Sequence, residues 1–458
     1  MSLIVSVSGV RGTIGGVSGD NLTPPDIVKF SSAYSQWIKN QYPQPTVVIG
    51  RDARISGQLV SKLVSSCLQS MGVHVIDLDL STTPTVEMAV VHLKAHGGII
   101  LTASHNPKQW NALKLLNQKG EFLSAADGEQ LLNIIQQDQI SYAPVDSLGQ
   151  LRHYENAIQD HVSAILKLPF LPIQAIKSRS FHIVADCINS SGAIALPILF
   201  KALGCTYELI NEIPDGNFNH NPEPLPEHLQ DLLSACANSS AIGIAVDPDV
   251  DRLALVDEKG QYFGEEYTLV TVADYMLDLK AGNTVSNLSS SRALRDLTLM
   301  KGGQYFASAV GEAHVVQKMK EVHAIIGGEG NGGVILPDLH YGRDSLVGIA
   351  LVLANCVTKN KTLSELKSGY PKYAMIKDKV QLKQDTPYDE VLQLLKSNYK
   401  NEELNTIDGL KIDFEHAWIH LRKSNTEPII RIYCEAKSIS EAEKLTNQLK
   451  HHIHHLIQ

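Results

Sequence analysis

Three segments of this 458-residue chain repeat one pattern, and that repetition restricts the fold more than any other feature. "TVVIGRDARISG" leads through an apolar-periodic stretch to "GVHVIDLDL". "FHIVADCINSSG" leads through "AIALPILFKAL" to "GCTYELINE", and "TVSNLSSSRAL" through "RDLTLMK" to "GGQYFASAVG". Each reads as a strand, a small polar turn, a helix, a glycine and a second strand. That is the βαβ signature of a parallel sheet. Its threefold recurrence predicts three similar α/β domains in tandem. The C-terminal part reads differently. "GLKIDF", "WIHLRKS" and "IIRIYCEA" are short strands spaced as an antiparallel meander, and a helix from 440 to 455 packs on them. We therefore expect domains at 1–148, 149–258, 259–369 and 370–458, the last of α+β type.

Composition removes several function classes. The chain is 43% hydrophobic and 19% charged, with a net charge of −9. It has ample material for a core, and no Lys/Arg cluster of the kind nucleic acid demands. Positive charge is dispersed, sometimes beside glycines, as in Arg11-Gly12 and Gly50-Arg51, which suits a small anionic substrate. The six cysteines are scattered without a CxxC pair and read as buried thiols of a reducing cytoplasm. "MSLIVSVSGVRG" lacks a basic n-region and reads as a strand, not a signal peptide. The uncharged run from Ser345 to Thr358 is too short to span a bilayer and opens with an Asp344/Ser345 cap, so it reads as a buried helix and no membrane is expected. "HHIHH", residues 451–455, could bind metal but reads first as the fraying end of the last helix.

Four stretches carry chemistry. In "GGIILTASHNPKQWNALK" a short apolar run ends in a polar loop closed by Pro107, which puts Ser104 just past a strand end, where open α/β sheets place their chemistry. In "AIGIAVDPDVDRLALVDEKG", Asp247, Asp249 and Asp251 alternate directly after an apolar strand. Alternate residues of an extended segment share a face, so all three could meet at one point, and an oxygen-only set suits Mg²⁺. A calcium loop is excluded because its sixth position, here Arg252, requires glycine. In "IIGGEGNGGVILPD" a literal GxGxxG runs into a strand, not a helix, so it is no dinucleotide fingerprint. It is either a plain glycine-rich hairpin or a tight loop offering Glu329 and Asn331 to ligand hydroxyls. In "LRKSNTEPIIRIY", Arg422, Ser424, Asn425 and Thr426 combine a charged fork, hydroxyls and backbone N–H groups, with Arg431 further along. That is phosphate-binding chemistry, or else a polar turn in a meander.

"TASHNP", "DPDVDR", "GGEGNGG" and "RKSNTEP", in that order and at these spacings, resemble the α-D-phosphohexomutase family, which includes phosphoglucosamine mutases, phosphomannomutases and phosphoglucomutases. "GVRG", "GRDARISG", "TTPTV" and "PDGNFNHNPEPLPE" look like family segments too, so the resemblance covers the whole chain. It implies three α/β domains with mixed sheets and a C-terminal α+β domain around a central cleft. It implies a sugar-phosphate substrate and Mg²⁺, with a hexose 1,6-bisphosphate as activator, in a monomer or homodimer. Ser104 would carry a phosphoryl group. Ser104 and the three aspartates would hold the metal. Lys114, in the "NGxK" tail, would join Arg11, Arg252 and His105 in the catalytic set. Glu329 and Asn331 would touch sugar hydroxyls, and Arg422, Ser424, Asn425, Thr426 and Arg431 would grip the non-reacting phosphate.

The chain also departs from the family pattern. Ala112 replaces the glycine of the "NGxK" tail. Asn331 and Gly333 stand where many members have serine and histidine, and Gly311 is followed by Glu312 where some have histidine. Asparagine can still bond a hydroxyl and glycine cannot. "RKS" and "TEP" look like phosphoglucosamine mutases, while Asn425 looks like the phosphomannomutase and phosphoglucomutase branch. The expectation is therefore a phosphoglucosamine mutase. A phosphatase that hydrolyses its own phosphoserine, or a non-catalytic sugar-phosphate binding protein, are the rival readings.

Overall fold

The computed structural model describes residues 2–6, 8–381, 388–423 and 429–457. They form three α/β domains and a C-terminal antiparallel-sheet domain, arranged as two compact units. One unit comprises Met1–Tyr275 with Asn331–Lys367, the other Met276–Gly330 with Ser368–Gln458.

The first unit holds two mixed sheets. The larger has seven strands in the order Ile4–Ser6, Gly9–Thr13, Trp110–Leu116, Gly97–Leu101, Thr46–Arg51, His74–Leu80, Leu151–His153. Its centre is parallel, with Val48 opposite Ile76 and Gly98, and Trp110–Leu116 turns back antiparallel against Gly97–Leu101. Both faces are buried, which is why these strands read as continuous apolar runs. Val47, Ile49, Ile99 and Leu101 pack with Ile27, Phe30 and Val60 of the helices Pro24–Lys39 and Gly57–Ser70. Val48 and Ile100 face the other way, onto Val86 and Val90 of the helix Thr83–His92. That alternation is the period of two a pleated strand imposes.

The second sheet runs Leu253–Val256, Ile242–Val246, His182–Asp186, Thr206–Ile210. It is parallel except for Leu253–Val256. In the other unit, Tyr305–Ser308, Asn283–Asn287 and Ala324–Glu329 are parallel neighbours. There too lies an antiparallel sheet of five strands, Ala374–Gln381, Ile429–Ala436, Trp418–Lys423, Leu410–Asp413 and Glu403–Asn405. Its own core joins Val380, Ile412, Ile419 and Ile430 to Leu395 and to Leu449 of the closing helix Ile439–Ile457.

All three βαβ repeats are present, as is the buried helix Ser345–Lys359, whose Asp344 Oδ1 accepts the N–H groups of Leu346 at 2.8 Å and Val347 at 3.3 Å. Three details differ from the sequence reading. The N-terminal apolar run is two strands, with Ser6 opposite Gly9. Gly9 has φ +149°, and a Cβ there would lie 2.0 Å from the Leu113 carbonyl oxygen, so the turn demands glycine. Leu151–His153 extends the first sheet past residue 148, because its backbone pairs with Val75–Asp77. The meander gains two edge strands, Ala374–Gln381 and Glu403–Asn405. Among the described residues, no helix is long and apolar enough to cross a membrane.

Candidate active site

The residues of greatest chemical interest stand at the carboxyl ends of strands. In the first unit the strand Gly97–Leu101 delivers a loop that carries Ser104. Ser104 is held at φ +50°, a left-handed conformation uncommon for a residue with a Cβ. Its N–H donates to Thr102 Oγ1 at 2.9 Å. Its carbonyl accepts from the Arg54 guanidinium, which also donates to the carbonyls of Asn106 at 2.7 Å, Pro107 at 2.7 Å and Trp110 at 3.0 Å. Arg54 is fully buried and paired with Asp52 at 2.9 Å, and Asp52 also accepts from Thr102 Oγ1 at 2.6 Å. A planar, permanently charged fork thus fixes the serine loop from behind.

The strand Ile242–Val246 ends at the aspartates. They do not converge through strand alternation, as expected from sequence. Residues 247–252 form a turn, with Val250 at φ +61°. Asp247 Oδ1 closes it by accepting the N–H groups of Asp251 and Arg252, both at 3.1 Å. Val250 is β-branched and fully buried, so its left-handed backbone is strain held by the surrounding bonds.

Around this turn the side chains meet. Ser104 Oγ donates to Asp247 Oδ2 at 2.6 Å, and His105 Nδ1 lies 3.4 Å from the same Oγ. Lys114, on Trp110–Leu116, reaches Asp249 at 2.7 Å and Asp251 at 3.4 Å. Thr83, the first residue of its helix, donates to Asp249 at 2.5 Å, and Arg343 donates to Asp251 at 2.7 Å. Arg252 pairs with Glu223 at 3.2 Å. Arg11 stands on Gly9–Thr13, in register with Ala112.

Burial pushes the Asp247 carboxyl well above its usual range, and the charges of Asp251 and Asp249 add to it. Burial also opposes charge on Asp249 and Lys114, but their mutual attraction prevails, lowering the carboxyl and raising the ammonium. Lys114 is therefore a cation, suited to donate a proton or balance charge. Burial and then the Arg252 charge hold the His105 imidazole well below its usual value, so it is neutral.

Three carboxylates share this spot, with an oxygen from each within 4.8 Å of the others. Asp249 Oδ1 and Asp251 Oδ1 are buried and have no hydrogen-bond partner among the described residues. Orphaned anionic oxygens are costly unless a cation takes them. An all-oxygen set with two open acceptors fits a hard divalent ion.

In the second unit, Glu329 closes the strand Ala324–Glu329 and accepts from Asn287 Nδ2 at 2.8 Å and from the Gly311 N–H at 3.1 Å. Arg422 and Arg431 face each other across neighbouring strands, and Lys379 stands opposite Arg431 on the next. Residues in register share one sheet face, so three cations lie in a row, though Arg422 also pairs with Asp408 at 2.8 Å. Like charges placed opposite one another repel, and an anion relieves that. Ser424, Asn425 and Thr426 lie outside the described residues. Asn331, in the first unit, turns its Oδ1 onto the Gly333 N–H at 3.2 Å.

Sequence reasoning did not single out Arg54, Asp52, Thr83, Arg343 or Lys379. "GRDARISG" carried a signal for the first two, a buried-type Asp-x-Arg beside a strand end. Thr83 lies in "TTPTV", noted only as a family-like segment, while Arg343 and Lys379 had no signal and are brought in by tertiary packing.

The chain matches, domain by domain, the family described as phosphoglucomutase/phosphomannomutase: alpha/beta/alpha domain I over residues 3–141, domain II over 159–260, domain III over 264–373 and the C-terminal domain over 375–452. It is 34% identical to a phosphoglucomutase/phosphomannomutase of Thermococcus kodakarensis, with 97% of each chain covered. It is 31% identical to a phosphoglucosamine/phosphogalactosamine mutase of Sulfurisphaera tokodaii, covering 98% of this chain and 99% of that one. The crystal structure of a phosphoglucomutase/phosphomannomutase family protein from Burkholderia thailandensis superposes with a TM-score of 0.84 over 98% of each chain, at 26% identity.

Proposed function

The chain belongs to the α-D-phosphohexomutase family and is a phosphohexomutase, and on that premise we propose that Ser104 carries the phosphoryl group between the 6- and 1-positions of a hexose phosphate. The observation that carries this reading is the 2.6 Å bond from Ser104 Oγ to Asp247, within reach of a carboxylate cluster that two cations already border. The cycle starts from phosphoserine. A sugar hydroxyl attacks phosphorus, the bond from phosphorus to Ser104 Oγ breaks, and the hydroxyl proton leaves to a base. The resulting 1,6-bisphosphate turns end for end. Ser104 then takes back the other phosphoryl group, and a proton returns to the sugar oxygen released.

Asp247, Asp249 and Asp251 would hold Mg²⁺, which supplies charge neutralisation at the transferring group. Lys114 as an ammonium supports the same charge or protonates the departing oxygen. Arg11, Arg252 and Arg343 supply further positive charge, and neutral His105 lies beside the serine oxygen. Glu329 reads sugar hydroxyls. Arg422 and Arg431, together with Lys379 and the 424–426 loop, grip the phosphate that does not react.

Glucosamine phosphate is the substrate we favour. "RKS" and "TEP" support it, as does the name of the Sulfurisphaera relative. A general hexose mutase is the second reading, supported by Asn425 and by the name of the Thermococcus relative.

Phosphorus NMR of bisphosphate-primed enzyme with Mg²⁺ tests both, using glucosamine, glucose and mannose 6-phosphates. Conversion confined to glucosamine phosphate, and lost in Ser104→Ala, is the expected result. Equal turnover of the three sugars would establish the second reading. Release of inorganic phosphate without isomer would overturn the mutase cycle.

A further inference from the structure

A second cluster of ligating side chains lies in the first unit, outside the serine and aspartate site. His161 stands on the helix Ala157–Leu166, His340 on the loop after Leu336, and Asp344 caps the helix Ser345–Lys359. His161 Nε2 lies 2.9 Å from Asp344 Oδ2, and His340 Nε2 lies 3.4 Å from the same oxygen. One ligand atom from each residue falls within 4.8 Å of the others. The two imidazole rings are perpendicular, 6.0 Å apart. His161 and Asp344 are fully buried, and His340 retains a narrow opening to solvent, its side chain 10% exposed.

The atoms that point away from this spot each face a polar group. His161 Nδ1 lies 3.0 Å from Thr85 Oγ1, which itself accepts from Thr82 Oγ1 at 2.7 Å. His340 Nδ1 lies 3.3 Å from Glu87 Oε2. Gly342 makes room for that carboxylate, since a Cβ there would stand 1.8 Å from Glu87 Oε2. Asp344 Oδ1 is occupied by two backbone N–H groups. Imidazoles whose far nitrogens are fixed by a carboxylate or hydroxyl, with the near ones converging, form the outer shell that metal-bound histidines use.

We propose that His161, His340 and Asp344 form a second, nitrogen-rich metal site that takes a borderline ion of the Zn²⁺ class, distinct from the oxygen-only aspartate site. Two nitrogens and one carboxylate oxygen match zinc, with a fourth position for water, whereas an all-oxygen set selects magnesium. The ion cross-links the helices Thr83–His92, through Glu87 behind His340, Ala157–Leu166 and Ser345–Lys359. The first of these presents Thr83 to Asp249, and Arg343, next to Asp344, holds Asp251. The second site thereby braces the elements that border the first, as a structural metal.

The test uses untagged, full-length protein, stripped with chelator and returned to excess Mg²⁺ so that the aspartates are satisfied. Co²⁺ is then titrated in. The expected result is one equivalent bound per chain, with intense visible absorption of a nitrogen-containing, four-coordinate site, and displacement by one equivalent of Zn²⁺. Proton NMR of the cobalt form should show two exchangeable, paramagnetically shifted imidazole N–H signals, a readout that needs no variant. His161→Gln and His340→Gln should abolish the absorption. Asp247→Asn should keep it, as should a protein with His451, His452, His454 and His455 all changed to Gln. Absence of the band under excess Mg²⁺ would overturn the proposal and leave a charged hydrogen-bonded network instead. So would its survival in both histidine variants, or its loss on changing the C-terminal histidines.

Discussion

Lys114 and Arg54 do opposite jobs with the same sign of charge. Lys114 sits against Asp249 and Asp251 and competes with any divalent ion for their oxygens. Lys114→Met should therefore bind Mn²⁺ more tightly while the phosphotransfer rate falls about 10²–10³-fold, the usual scale for losing one charged partner of the transition state. Mn²⁺ titration by paramagnetic resonance, beside a turnover assay, reads the two effects separately. Weaker Mn²⁺ binding would show that Lys114 supports the carboxylate geometry instead of opposing the ion. Arg54 touches no reacting atom in this reading and works through the backbone, gripping the carbonyls of residues 104, 106, 107 and 110. Arg54→Met leaves Asp52 buried without its cation, and urea unfolding should show a loss of about 3–5 kcal/mol. Arg54→Lys should recover little of it, because an ammonium cannot span four carbonyls as a planar fork does.

Among the elements, the strand Trp418–Lys423 carries a buried histidine with a defined tautomer. His420 Nε2–H donates to the Asp408 carbonyl at 2.6 Å, and Nδ1 lies 2.9 Å from Ser289 Oγ. Burial, reinforced by the Lys411 charge, pulls the ring down to about 4 from the 6.5 of an unfolded histidine. The unfolded chain therefore takes up the proton first. Stability from this residue is intact above about pH 6.5 and is lost as the pH falls toward about 4, by about 3 kcal/mol in full. Urea titrations at several pH values should show this slope, and His420→Gln should flatten it. The same strand shows how far the sequence could be read. The spacing of this short strand from its neighbours predicted the meander, although Trp418 to Leu421 turn out to be buried on both faces. Ser104 and the aspartates were legible because their chemistry is contiguous in the chain. The turn at Val250 was not, since a β-branched residue there reads as strand; in the fold Asp247 accepts the N–H groups of Val250, Asp251 and Arg252, and the Val250 carbonyl accepts from the Ser345 N–H. Arg343 carried no pattern of its own, and "TTPTV" marked Thr83 without showing its partner, because both are delivered beside helix starts remote in sequence from the aspartates.

At the scale of the whole molecule, the antiparallel sheet near the C-terminus has a hydrophobic core drawn entirely from its own strands and helices. A chain of several such cores seldom unfolds in one step. Calorimetry should resolve more than one transition, and a single peak with equal calorimetric and van't Hoff enthalpies would contradict this. The first unit is also discontinuous, leaving off at Tyr275 and resuming at Asn331. Its late segment is no ornament. Asn355 donates to the Thr271 carbonyl at 2.9 Å, Lys359 pairs with Asp274, and Arg343 reaches Asp251 at 2.7 Å. On a ribosome that adds roughly 5–20 residues per second, the aspartate turn and its helix emerge and then wait several seconds for those partners. Throughout that interval the nascent chain exposes the apolar faces of the helices Ala157–Leu166 and Ile173–Arg179 that later pack on Ser345–Lys359, and an acidic turn without Arg343. Pausing of translation within 276–330 would lengthen that exposure, and a chaperone that shields those faces would offset it.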